Sequence, residues 1–238
     1  MKDQVFAPLD ADLHLERIAG GNETEVFCTD DRRYVVKVKS AREGLLADAL
    51  AEAQLMRAAA AKFAADIGPQ HEAPNHFILS RDSAGHVHPI AIQPYFHHAR
   101  ALFDLDYQQL TKGERYHIAR QLLHIIGRAL IAYFKTGQMP DLYGRSSPSK
   151  RERERLNKWY MFPRRLWSFL VQRNLLRSHN LMWIGAPEKR IILVDYDPMK
   201  HGRLYQWVYY QVRLLLFIRD IILIQLMLST GRTLSPPT

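Results

Sequence analysis

Residues 13–39 read LHLERIAGGNETEVFCTDDRRYVVKVK and predict three β-strands separated by turns. β-Branched and aromatic residues are grouped in short runs, and Gly, Asn and Asp, which favour turns, interrupt them. The first strand contains Leu15 and Ile18, the second contains Val26–Cys28, and the third is Tyr34–Val38. The sequence therefore predicts a chain that begins with a strand-rich part.

The next segments combine a helix with two more strands. Residues 43–65 are rich in Ala, Leu, Glu, Gln and Met, which are strong helix formers. Gly68-Pro69 is expected to end this helix. Apolar runs around 77–79 and 90–92 predict short strands, with a turn at 80–85 between them.

The periodicity becomes helical after about residue 100. Apolar residues between Ile118 and Tyr133 recur at helical spacing, and a second long apolar-rich helix is predicted over 204–228. A short apolar strand at 191–194 lies between these helices. Strands followed by helices predict an α+β fold, with a boundary near Gln93–Arg100.

The composition is that of a globular protein with an excess of positive charge. The chain has 238 residues, a formal charge of +9, and 47% hydrophobic residues. The basic balance favours anionic partners without choosing among them. A single cysteine, Cys28, rules out an internal disulfide, and the first residues lack a signal-peptide core, so a cytoplasmic location is expected.

Gly20, Gly21 and Asn22 lie between the first two predicted strands. Small residues allow backbone N–H groups to approach phosphate oxygens closely, so this turn is a candidate phosphate-binding loop. A structural hairpin turn explains the two glycines as well, and it is the preferred interpretation of this motif taken alone.

Lys37 is flanked by valines in the third predicted strand. An ammonium group in such surroundings is costly unless it finds an anion, such as a phosphate or the carboxylate of Glu52 on the following helix. Alternatively, the lysine lies on an edge strand and faces water. Lys39 lies on the same face, so one of the two lysines could simply be solvated.

Asn180 and Asp195 flank a predicted hairpin whose turn is at 185–188. Their side-chain oxygens are hard donors suited to Mg²⁺, and the hairpin would bring them together. The alternative for each residue is a capping or turn role, which is common for Asn and Asp.

The order of these features resembles that of the protein-kinase-like superfamily, which includes aminoglycoside phosphotransferases and small-molecule or glycan kinases. The resemblance covers roughly residues 13–200. It implies a two-lobed fold with a small β-rich N-lobe, residues 1–96, and a reduced helical C-lobe, residues 97–238. It also implies that ATP and Mg²⁺ bind in the cleft between the lobes.

The resemblance assigns roles to individual residues. Lys37 would hold the α- and β-phosphates and Glu52 would orient it, while Asn180 and Asp195 would hold Mg²⁺. The stretch from Gln93 through Tyr95 to residue 96 would form the hinge along which adenine lies.

The sequence departs from the family pattern in two places. At the glycine loop, the family positions carry Ala19, Gly21 and Thr24, so one glycine remains. The position of the catalytic-loop aspartate is Leu175. We expect Asp141, in the stretch MPDLYG, to replace it as the group that accepts the proton of the substrate hydroxyl, with 145–178 as a basic insertion; a Pro-Asp turn is the alternative.

The expected function is that of a kinase-like phosphotransferase that moves the terminal phosphate of ATP to a hydroxyl acceptor. The small second lobe favours a small molecule, a sugar or a lipid-linked glycan as that acceptor. Two alternatives are a pseudokinase that binds nucleotide without catalysis, and a scaffold that uses its basic face to bind partners. The replacement of the family aspartate by Leu175 favours the pseudokinase.

Other motifs support weaker hypotheses. Six histidines between residues 71 and 98 could bind a transition metal, although a polar hairpin is the simpler explanation. Charged residues at 213, 219 and 220 interrupt the final helix, which is therefore expected to be buried in the second lobe rather than to span a membrane. An alternative is peripheral contact with the anionic inner face of a membrane, helped by the basic insertion. No nucleic-acid motif is present, so nucleic acid is not an expected partner.

Overall fold

The structure, a computed structural model, describes residues 15–20, 24–39, 46–81, 85–143, 159–161, 163, 174–195 and 203–232. It shows a mixed α/β protein whose N-terminal part is an antiparallel sheet. The chain divides into two compact units. Unit 1 comprises Met1–Ala53 and Pro74–His97, and unit 2 comprises Gln54–Ala73 and His98–Thr238.

Unit 1 contains a five-stranded antiparallel sheet in the order β1-β2-β3-β5-β4. The three strands predicted at the start of the chain and the two predicted after the first helix are confirmed. Their bounds are β1 Leu15–Gly20, β2 Thr24–Thr29, β3 Tyr34–Lys39, β4 His76–Arg81 and β5 Val87–Pro94. The third strand, β3, is central, so it is hydrogen-bonded to a strand on each side, β2 and β5.

Helix α1, Leu46–Ile67, follows the third strand, and the division between the units falls within it. The predicted end of the helix at Gly68-Pro69 is confirmed. Gly68 has φ 101° and donates its N–H to the Ala64 carbonyl at 2.9 Å. Glycine adopts this left-handed conformation without the steric cost that a Cβ would bring.

Unit 2 contains two long helices, α2 (Lys112–Thr136) and α3 (Arg203–Thr230). The start of α2 is fixed by a capping box in which Thr111 and Glu114 satisfy each other's backbone N–H groups. The apolar face predicted for this helix is confirmed, since Ile118, Leu122 and other residues of that face are buried.

A three-stranded sheet in the order β6-β7-β8 completes unit 2. Its strands are β6 Ala99–Ala101, β7 Leu181–Ile184 and β8 Arg190–Leu193. Strands β7 and β8 form the predicted hairpin, and their apolar residues are almost all buried.

Helix α3 differs from the expectation that it is a buried helix of the second unit. One face is buried, but the opposite face exposes large apolar side chains, including Leu215 and Ile222. Within the ranges that the structure describes, no helix has the length and hydropathy needed to cross a bilayer.

Candidate functional site

Segments 141–143 and 178–180 lie side by side in unit 2. Their ends are joined by three hydrogen bonds: Ser178 Oγ donates to the Leu142 carbonyl at 2.6 Å, the His179 N–H to the Tyr143 carbonyl at 3.1 Å, and Asn180 Nδ2 to the Asp141 carbonyl at 2.9 Å. The two segments that flank residues 144–177 therefore lie next to each other, and the interpretation of 145–178 as an insertion stays a prediction. Most of residues 145–178 lie outside the described residues.

Asn180 is buried at the start of β7 and its amide is held in one orientation. Nδ2 donates to the Asp141 carbonyl, and the backbone N–H donates to Ser178 Oγ at 3.0 Å. With the amide nitrogen engaged, the side-chain Oδ1 faces away from that bond and is an acceptor or a metal ligand by its chemistry.

Asp195 lies at the same end of the β7–β8 hairpin as Asn180. Leu181 pairs with Leu193, and the ladder continues because the Val194 N–H donates to the Asn180 carbonyl at 2.9 Å. The hairpin predicted from the spacing of Asn180 and Asp195 is therefore confirmed. Their binding of Mg²⁺ stays a prediction.

The donor set of this hairpin end fits Mg²⁺. Mg²⁺ in nucleotide sites is usually held by one or two protein oxygen ligands, with phosphates and water completing the octahedron. Asn180 and Asp195 supply one amide oxygen and one carboxylate. In the part of the chain that the structure describes, no group of three His, Cys, Asp or Glu side chains could hold a metal by itself.

The Asp141 carboxylate is held by its own turn and by α3. Its Oδ1 accepts hydrogen bonds from the Tyr143 N–H at 3.1 Å and from the Tyr209 hydroxyl at 3.3 Å. Nη2 of Arg213 lies 3.7 Å from the same oxygen. The side chain of Asp141 is nevertheless 43% exposed, so solvent can reach it.

Arg213 is an almost fully buried cation, with a side chain that is 2% exposed. Its guanidinium lies 3.7 Å from the centre of the Tyr143 ring and 4.7 Å from that of Tyr209. Contact with two aromatic faces stabilises the charge away from water. Because burial and the nearby Asp141 charge favour the neutral phenol, the pKa of Tyr209 is raised, and its hydroxyl remains a donor.

A second buried charge continues this network. The Tyr143 hydroxyl donates to Asp220 at 2.6 Å, and Arg219 lies 2.7 Å from the same carboxylate. Burial is the largest cause of the raised pKa of Asp220 and of the raised pKa of Tyr143. Sequence analysis did not predict this network, although charged residues within an apolar helix were the available signal.

Leu175, which the sequence resemblance aligns with a catalytic aspartate, is completely buried in a short 3₁₀ turn at Leu175–Arg177. An apolar side chain in the core cannot accept a proton. If the chain has a base in this part of the molecule, it is supplied by another residue, and Asp141 is a candidate because its carbonyl is bonded to the Asn180 amide.

Lys39 of β3 forms an ion pair with Glu52 of α1, with 3.0 Å between Nζ and Oε1. The lysine side chain is 3% exposed, so Lys39 is not the member of the lysine pair that is solvated. Glu52 is therefore in an ion pair with Lys39, and its predicted role in orienting Lys37 stays a prediction. Lys37 lies on the same strand and is half-buried, and its contact with phosphate stays a prediction.

The remaining nucleotide-binding candidates lie in unit 1. Gly20 ends β1, while Gly21 and Asn22 lie outside the described residues. Gln93 is buried in β5, where its side-chain amide donates to the Asn75 side chain. Tyr95 follows this strand, and its N–H donates to the Arg33 carbonyl at 2.8 Å. The adenine-binding role of Gln93 and Tyr95 is not tested by these contacts.

The histidines of residues 71–98 form no metal cluster among the residues that the structure describes. His71 is buried and its Nδ1 lies 2.8 Å from the carbonyl oxygen of Ile191. Burial is the largest cause of its lowered pKa, and the neighbouring His124 and Arg190 lower it further. The geometry indicates that His71 connects the turn after α1 to strand β8.

Comparison with known proteins gives distant likenesses to solved structures alone. No protein-family model matches the chain, and no curated protein is significantly similar to it. The chain is similar to the solved structure of wild-type aminoglycoside 2'-phosphotransferase-IIIa in its GDP complex, with a TM-score of 0.41 and 10% sequence identity. The match covers 94% of this chain and 79% of that chain. A likeness at this level supports no inference about function.

Proposed function

We propose that the protein is a kinase-like phosphotransferase that binds ATP with Mg²⁺ and transfers the terminal phosphate to a hydroxyl acceptor. The observation that carries this proposal is the hydrogen bond between the Asn180 amide and the Asp141 carbonyl. This bond places Asp141, whose carboxylate is exposed, next to Asn180, whose side-chain oxygen is a hard metal ligand. Asp195 lies at the same end of the hairpin. A general base and two metal ligands are the groups that phosphoryl transfer requires there.

In unit 2, Asp141 would accept the proton of the acceptor hydroxyl. Tyr143 and Tyr209 donate to one carboxylate oxygen, which fixes the group while its other oxygen can face a substrate. Asn180 and Asp195 would hold Mg²⁺. The metal, when bound, supplies positive charge that offsets the charge of the phosphates.

In unit 1, Lys39 is one candidate cation for the phosphate oxygens. Its ion pair with Glu52 fixes the direction of the ammonium, which has three N–H donors and can bond to more than one acceptor. Lys37 is the alternative cation on the same strand face. The acceptor is proposed to be a small molecule, a sugar or a lipid-linked glycan.

A pseudokinase is the second candidate function. The specific observation that favours it is the burial of Leu175 at the position of the family's aspartate. In that case the chain would bind nucleotide, and Asp141 would serve as a structural turn residue.

Two measurements separate these functions. Melting temperatures with ATP, with and without Mg²⁺, test for nucleotide binding, because a ligand at 1,000 times its Kd adds about 4 kcal/mol to stability. Loss of the γ-phosphorus signal in ³¹P NMR then tests for transfer, with water or added sugars as acceptors. A phosphotransferase gives both signals and a pseudokinase gives only the first. If ATP leaves the melting temperature unchanged, both proposals are wrong.

A further inference from the structure

Two charged residues of helix α3, Arg213 and Asp220, lie on its inner face. Arg213 and Asp220 are buried against the rest of unit 2, and the Arg219 side chain is mostly covered. On a helix that faces water, charged residues are normally on the outer face and apolar residues on the inner face. The distribution of charge on α3 is therefore unlike that of a helix that faces water.

The outer face carries a predominantly apolar stripe from Trp207 to Leu226, in which Gln225 is the exposed polar residue. In this fully described span, no exposed position carries a charged residue. The apolar members, with their exposed fractions, are Trp207 60%, Val208 47%, Leu215 68%, Ile218 60%, Ile221 36%, Ile222 63% and Leu226 36%. The stripe is about 28 Å long, at 1.5 Å per helical residue. We call these seven residues the outer stripe.

Further apolar and cationic groups lie near the two ends of the outer stripe. Helix α2 ends beside the start of α3, where the Tyr133 and Tyr210 rings are 5.6 Å apart. Phe134, next to Tyr133, is the most exposed large apolar residue among the described residues, and it is followed by the exposed Lys135. Arg232 is exposed just beyond the other end of α3.

The dimensions of the outer stripe do not suit a second copy of the chain. A surface one helix wide, about 28 Å by 10 Å, offers about 300 Å². A stable protein interface needs about 800 Å² from each partner. Two copies that each carry a formal charge of +9 also repel one another.

We propose that the outer stripe docks α3 on the surface of an anionic lipid bilayer. A helix that lies in the interface inserts only one apolar face, so the width of the outer stripe is sufficient. The net positive charge and the exposed Lys135 and Arg232 are attracted to anionic headgroups. This inference does not depend on the phosphotransferase proposal, because it concerns only the outer face of α3.

Cosedimentation with vesicles tests the proposal. The vesicles contain phosphatidylcholine with about 30 mol% phosphatidylglycerol, an anionic content in the range that attracts basic proteins. The test variant is Leu215→Gln with Ile222→Gln, and the matched control is Leu50→Gln with Leu55→Gln, two exposed leucines of α1. All four positions are exposed, so native melting temperatures are expected.

We expect wild type and control to sediment with these vesicles, and the test variant to bind at least about tenfold more weakly, because two large apolar side chains no longer insert. Brominated lipid should also quench the fluorescence of the wild-type protein, and Trp207→Phe should reduce that quenching. Equal binding of test and control variants, or no binding by wild type, contradicts the proposal. A dimer that the Leu215 and Ile222 changes abolish, without vesicle binding, assigns the stripe to a second copy instead.

Discussion

The side chain of Asp141 is exposed to solvent and is also held in a fixed orientation. Two donors hold one of its oxygens, and its backbone carbonyl holds the Asn180 amide. The side chain could therefore serve as a base without first being reorganised. A turn residue with no chemical role would show the same backbone contacts, so substitution of the carboxylate is the informative change.

Asp141→Asn is expected to reduce phosphate transfer by about 10²- to 10⁴-fold, because the amide cannot accept the hydroxyl proton. The affinity for ATP should change little, since the Asn retains the turn. ³¹P NMR turnover and a nucleotide titration measure the two quantities. Asp48→Asn, at an exposed position in the first turn of α1, is the control and should behave as wild type. Unchanged turnover in Asp141→Asn would remove this residue from the mechanism.

The two lysines of β3 can be distinguished by parallel substitutions. Lys39→Met should weaken ATP binding by about 10- to 100-fold, because a charge-assisted contact contributes about 1.5–3 kcal/mol. Lys37→Met should change binding by no more than about twofold, because the half-buried Lys37 is better screened by solvent than the buried Lys39. The reverse order of effects would assign the phosphate contact to Lys37, as the sequence first suggested.

Helix α3 and strand β8 hold the candidate site in place. Helix α3 supplies Tyr209 and Arg213 to the Asp141 turn and Asp220 to Tyr143. Strand β8 is tied to the turn after α1 through the Ile191 carbonyl and His71. These contacts join segments that are far apart in the chain, so the site depends on the packing of unit 2 as a whole.

The His71 contact predicts a pH-dependent stability. Burial lowers the pKa of His71 below its ordinary value of 6.5, so the unfolded chain takes up a proton before the folded one does as the pH falls. Stability is therefore complete above pH 6.5 and decreases as the pH drops below it. Melting temperatures at about pH 7.5 and pH 5.5 should show this loss.

His71→Asn provides the control for this pH effect. The Asn side chain has no proton to gain in this range but keeps an N–H donor for the Ile191 carbonyl. We expect a lower melting temperature at neutral pH and a weaker dependence on pH than in wild type. The pKa of His179 is also lowered by burial, so part of the dependence should persist. An unchanged slope in His71→Asn would show that this residue is not responsible.

At the scale of the whole molecule, the sequence predicted the elements better than the contacts between them. The strands of unit 1 and helix α2 follow local periodicity, and the hairpin carrying Asn180 follows from two apolar runs around a turn. Alternation along β3 places Lys37 and Lys39 on one face, and periodicity cannot tell which lysine meets Glu52. The ion pair of Lys39 with Glu52 depends on the position of α1, which a strand pattern does not give.

Sequence patterns could not predict the contacts that α3 makes. Arg213 and Asp220 interrupt an apolar helix, which indicates that their surroundings are unusual. The sequence pattern does not show that their partners are Asp141 and Tyr143, some seventy residues earlier. The same apolar composition is compatible with burial, a membrane span or an exposed apolar face. Only three-dimensional packing shows that the charges face inward and the outer stripe faces outward.

Calorimetric titration with a non-hydrolysable ATP analogue, in the presence and absence of Mg²⁺, tests the central claim most directly. Wild type should bind the analogue, and Mg²⁺ should tighten that binding through Asn180 and Asp195. Asp195→Asn should keep weak binding and lose the Mg²⁺ effect, because a carboxylate ligand is replaced by a neutral amide. No binding by wild type, or binding that neither Mg²⁺ nor Asp195→Asn alters, would contradict the claim.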